Sequence, residues 1–126
     1  MADTSEIYIK LIQVILDIEK IDSHLKLTAP GFMDLYVDVL SKDGPLMRIA
    51  MAHNYKSGGD IIPDPDMEIT IDFEREEAWA ETYQDAYRFR IAFNDAAKKE
   101  MNEFLLMWLC NMIEQGHKMP DAVGAD

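Results

Sequence analysis

The chain has a single cysteine, Cys110, so it forms no intramolecular disulfide and no cysteine-based zinc cage. It has no apolar run near the roughly 18 residues needed to span a bilayer. It does not begin with a basic segment followed by a long apolar block, so no signal peptide is expected. A cytoplasmic protein without a membrane partner is the simplest expectation. Internal repeats and low-complexity tracts are lacking. Basic residues are scarce: 12 Lys and Arg stand against 24 Asp and Glu, a formal charge of −12. Nucleic-acid binding draws its affinity from cations that neutralise phosphates, so direct contact with DNA or RNA is not expected.

What is present is an ordinary globular composition, 48% hydrophobic and 29% charged, in a chain of 126 residues. That length buries one core without staples. The expectation is a single domain over 1–118 with a flexible tail at 119–126. The acids are uneven, with ten between Asp60 and Asp85 against Arg75 alone. Such a face ordinarily keeps a protein soluble. The sharper readings are a patch that meets a basic protein, or one that imitates the charge of DNA.

The first element reads as a helix. Asp3 or Thr4 caps it, and Ile7, Leu11, Val14, Ile18, Ile21 and Leu25 recur at three- and four-residue steps. Four or five strands follow. Leu35, Val37 and Val39 alternate with Tyr36 and Asp38. Met47, Ile49, Met51, His53 and Tyr55 share a face. Met67, Ile69, Ile71 and Phe73 oppose Asp66, Glu68, Thr70 and Asp72. Trp79 to Gln84 and Tyr87 to Phe93 supply the last two. Short connections favour an antiparallel meander with one wet face. A long helix from Asn94 to Gln115 closes the pattern, stopped by Gly116. Its run from Phe104 to Cys110 is apolar on more than one side. The helix therefore lies deep between other elements, or it offers a second face for a homo-oligomer. The expected class is α+β: an antiparallel sheet flanked by an N-terminal and a long C-terminal helix.

Ile49 to Tyr55, then Gly59-Asp60, then Asp64-Pro65-Asp66-Met67-Glu68 form a distinctive run. With Thr82 to Asp85, Phe104-Leu105, Trp108-Leu109 and Gln115-Gly116-His117, it resembles an uncharacterised bacterial domain family. The likeness spans roughly residues 32 to 117. That family is associated with plasmids, phages and other mobile elements, alone or within larger proteins concerned with DNA. The resemblance implies an α+β domain and a mobile-element setting, and it implies no activity. Where the family pattern has Asn-Gly, this chain has Gly58-Gly59, and both pairs suit positive φ.

The densest polar chemistry is the candidate cluster His53, Tyr55, Asp60, Asp64, Asp66 and Glu68. Its carboxylates are the type that hard divalent cations favour, although the spacing is not that of an EF-hand. Asp-flanked prolines leading into an exposed strand are the plainer account. Pro63-Asp64 resembles half of a nuclease motif, but Thr70 stands where that motif needs lysine. His53 is the best acid–base candidate, but a core histidine that bonds a carboxylate or backbone group and anchors the loop is the plainer account. Cys110 reads as a packed small hydrophobe, and His24 and His117 as isolated, exposed residues. No catalytic residue and no cofactor are assigned, and whether a metal binds is left open. The first expectation is a non-enzymatic protein-interaction domain with Glu68, Asp72 and Glu81 on its acidic face. The alternatives are a DNA mimic and a metal-dependent hydrolase built on His53, Asp60, Asp64, Asp66 and Glu68.

Overall fold

The computed structural model describes residues 3–119, apart from the side chains of 55–57 and 60–63. The expected tail from residue 120 onward lies outside the described residues. Helix α1 (Thr4–Val14) begins where the Asp3 side chain accepts the Ser5 N–H at 2.9 Å. It is much shorter than its apolar spacing suggests. Ile12, Val14 and Ile15 are β-branched and disfavour helix. Asp17 then takes a left-handed conformation, φ 57°, and turns the chain into a single 3₁₀ turn, Ile18–Lys20. Ile15 and Ile18 still reach the core, as turn residues rather than helical ones.

The early end of α1 frees the next segment to become a strand, and this corrects the expected strand count. The sheet has six strands rather than four or five: β1 (His24–Leu27), β2 (Leu35–Asp43), β3 (Leu46–Ser57), β4 (Asp60–Asp72), β5 (Glu77–Gln84) and β6 (Phe89–Ile91). They lie side by side in chain order, each antiparallel to the next. Helix α2 (Asp95–Gln115) is capped by the Asn94 side chain, which accepts the Ala97 N–H at 2.8 Å, and ends at Gly116 with φ 84°.

Both helices pack on one face. Leu35, Val37, Met47, Ile49, Met51, Met67, Ile69 and Ile71 meet Ile7 and Leu11 of α1, and Met101, Leu105, Trp108, Leu109 and Met112 of α2. Ala78 and Ala80 on β5 are buried and small, which lets both helices approach that strand closely. The other side of α2 is not deep between elements: Met107, Cys110 and Ile113 are exposed there. Cys110 is therefore a surface thiol, not the packed hydrophobe expected from its neighbours.

A bulge in β5 sets which side chains face which way. Register runs Glu68 to Thr82 and then Ile69 to Ala80, leaving Glu81 as the extra residue. Trp79, Glu81 and Thr82 consequently share the helix-free face, and Tyr83 turns inward to an edge contact with Phe104, ring centroids 5.2 Å apart. Two N–H groups beside the bulge find side-chain acceptors. Ala80 N–H donates to Asn102 Oδ1 of α2 at 2.8 Å, and Glu68 N–H donates to Thr82 Oγ1 at 3.2 Å.

Candidate functional site

The sheet divides the residues singled out from the sequence. His53 follows Met51 on the helix-covered face and is buried. Asp66 pairs with Ala52 and Glu68 with Ala50, so both point to the helix-free face. Asp64 is exposed, in a second irregularity where β4 places Asp64 and Pro65 between the Asp66 and Pro63 pairings, opposite His53. The Tyr55 and Asp60 side chains lie outside the described residues. The cluster is therefore not one pocket, and no three His, Cys, Asp or Glu side chains gather as a metal site among the described residues.

The helix-free face is ordered by register. Tyr36, Ala52, Asp66, Gln84 and Phe89 form one row across β2 to β6. Asp38, Ala50, Glu68, Thr82 and Ile91 form the next. Ala50 and Ala52, the small residues of these rows on β3, stand between Asp38 on one side and Asp66 and Glu68 on the other. Phe89 and Ile91 keep more than half of their surface in solvent, at 56% and 55%. Burial raises the Asp66 carboxyl above its ordinary range, and the charges of Glu68 and Asp38 push it the same way.

Glu68, Asp72 and Glu81, the expected interaction face, also carry structural duties. Arg48 Nη2 lies 2.8 Å from Glu68 Oε1. Asp72 Oδ1 accepts the Glu74 and Arg75 N–H groups at 3.0 and 3.1 Å and holds the β4–β5 turn. Glu81 accepts from the Thr70 hydroxyl and the Trp79 indole N–H. Asp38 and Asp66 have no hydrogen bond or ion pair of this kind among the described residues.

On the covered face, His53, Trp108 and His117 come together. The His53 ring centroid is 5.4 Å from that of Trp108 and 5.5 Å from that of His117. His53 Nδ1 donates to the Asp34 carbonyl at 2.9 Å, and His117 Nε2 donates to the neighbouring Met33 carbonyl at 2.8 Å. Burial lowers the His53 pKa and the neighbouring His117 pushes it the same way, against the opposing pull of the Asp34 carbonyl and the Asp64 and Asp34 charges. His117 is not the isolated surface residue expected. It is 6% exposed, because Gly116 reverses the chain and Thr28 and Lys118 exchange backbone hydrogen bonds that draw it under the sheet. The position of a histidine just after a helix-stopping glycine is the only local signal of this.

A hollow of about 200 Å³ lies between β5, β6 and α2, lined by Tyr83, Arg88, Arg90, Glu100, Met101 and Phe104. Its polar groups engage one another. Arg90 Nη1 is 2.6 Å from Glu100 Oε1, and Arg88 lies 5.8 Å from the Tyr83 ring centre. Burial and the hydrogen bond that Tyr83 donates to Asp85 push the phenol up to about 12.

These features define an α+β domain: a one-sided antiparallel meander with a helix at each end of the chain. A family model described as a domain of unknown function (DUF6908) matches residues 6–118, and the chain belongs to that family. No curated protein and no solved structure matches the chain. No helix among the described residues is long and apolar enough to cross a membrane.

Proposed function

We propose that this domain is a non-enzymatic interaction module that binds a basic protein segment across the helix-free face. The observation that carries this reading is the grouping of Asp38, Asp66 and Glu68 on one helix-free face, on either side of Ala50 and Ala52. Like charges that share a half-buried face raise the free energy of the unbound state, and an arriving lysine or arginine relieves that repulsion. Phe89 and Ile91 at the end of the same rows offer apolar contact, so the matching segment alternates basic and aliphatic residues. A role as an accessory protein of a bacterial mobile element rests on the family resemblance.

The test is a titration of the protein with a labelled peptide of alternating basic and aliphatic residues. Binding is expected to weaken as salt rises. It is expected to be lost in the double variant Asp38→Lys, Asp66→Lys, and kept in Glu103→Lys on exposed α2. Unchanged affinity in the double variant, with the fold intact by circular dichroism, removes the reading. In a sharper form the partner is a DNA-binding protein, and duplex DNA then competes with this domain for it.

A second reading, self-association through α2, draws on exposed Met107, Cys110 and Ile113. Sedimentation of the wild type against Met107→Glu separates it from the first. The metal-dependent hydrolase built on His53, Asp60, Asp64, Asp66 and Glu68 has less support, because His53 and the Asp66–Glu68 pair stand on opposite faces.

A further inference from the structure

We propose that His53 and His117 are the protein ligands of a buried site for a transition-metal ion of the zinc class. Each ring already donates one N–H to a backbone carbonyl, and the two carbonyls belong to consecutive residues, Met33 and Asp34. A carbonyl only accepts, so the proton of His53 is on Nδ1 and that of His117 on Nε2. This leaves the lone pairs of His53 Nε2 and His117 Nδ1. Backbone acceptors that fix the tautomer and orientation of an imidazole are the usual outer support of a metal-ligating histidine.

His117 Nδ1 is buried and has no hydrogen-bond partner among the described residues, and the same is true of Trp108 Nε1. A buried polar atom left this way calls for an occupant. The spacing fits an ion. With zinc–nitrogen bonds of about 2.0–2.1 Å, two imidazoles on one tetrahedral ion hold their ring centres roughly 5 Å apart, and the centroids here are 5.5 Å apart. Imidazole nitrogens select zinc, copper or nickel over calcium and magnesium. The chain supplies two nitrogens, and water completes the coordination. The Trp108 N–H donates to that water.

The experiment uses the full chain stripped with chelator, titrated with zinc and, for its ligand-field bands, with cobalt(II). One ion per chain is expected, with a saturable rise in melting temperature, since an ion that binds only the folded state stabilises it by mass action. His53→Gln and His117→Gln are each expected to lose at least tenfold in affinity, and His24→Gln, on the surface, to lose none. Should either variant fold poorly, the cobalt spectrum of the wild type decides alone, because absent ligand-field bands overturn the site. Zinc binding retained in both variants overturns it as well. An equal shift with magnesium or calcium also overturns it, since that marks carboxylates rather than imidazoles. The peptide titration has no bearing on this outcome.

Discussion

Arg48 on β3 holds Glu68 on β4 through two contacts to one oxygen, Nη2–Oε1 at 2.8 Å and Nε–Oε1 at 3.0 Å. The pair sits on the helix-free face with its side chains 40% and 36% exposed, so solvent screens it. It contributes up to about 1 kcal/mol. Arg48→Ala is expected to lower stability by no more than about that amount in urea denaturation. The same change frees Glu68, so the affinity for a basic peptide is expected to rise. A fall in affinity would mean that Arg48 itself contacts the partner.

Asp66 links this face to pH. Its folded carboxyl binds a proton more tightly than the ordinary value of 3.8, chiefly through burial, with Glu68 and Asp38 adding to it. Between 3.8 and the folded value the native state holds more protons than the unfolded chain, so stability falls as pH rises through that window. Asp66→Asn removes this penalty. The variant is expected to melt above the wild type at neutral pH, with the gap closing in acid. Thermal melts across the acid range check the sign.

Asn102 is the bridge between α2 and the β5 bulge, through the bond it accepts from the Ala80 N–H. Asn102→Ala leaves that N–H without its partner at a buried residue, which costs about 1–3 kcal/mol. Asn102→Asp keeps an acceptor and is expected to lose less. Amide exchange at Ala80 is expected to quicken in the alanine variant.

Gly116 carries φ 84°, and a Cβ there would meet nothing within 4 Å. The cost of Gly116→Ala is therefore backbone strain, about 1–2 kcal/mol. The variant is also expected to loosen the His117–Met33 bond. Equilibrium denaturation measures the first effect, and the nitrogen chemical shifts of the His117 ring report the second.

Acid weakening is expected through His53. Its folded pKa lies below the ordinary 6.5, so the unfolded chain takes up a proton first. The stability held above 6.5 is lost as pH falls from there through the folded value. His53→Gln, which carries no such charge, is expected to flatten that limb of the metal-free stability curve.

Much of the fold was legible because its signals are local. The alternation in β4, the Asn94 cap and the stop at Gly116 each depend on residues within a few positions of one another. The short links between strands pointed to a meander. The first helix misled, since three- and four-residue apolar spacing reports that Ile15 and Ile18 are buried but not in what conformation. The β-branched run that ends α1 was present in the sequence, but its effect depended on β2 offering an edge for β1.

The candidate site was legible in part, and the two halves differ for a physical reason. The sequence alone determined the negative charge, the acid-rich stretch and the outward set Asp66, Glu68, Thr70 and Asp72, because strand alternation follows from the two-residue period of the backbone. Only the tertiary structure decided the rest. It set His117 against His53, tied both to the carbonyls of Met33 and Asp34, and brought Asn102 to the β5 bulge. Those contacts join residues far apart in the chain, and no local pattern encodes which buried polar groups will meet once two helices and a sheet close over one core.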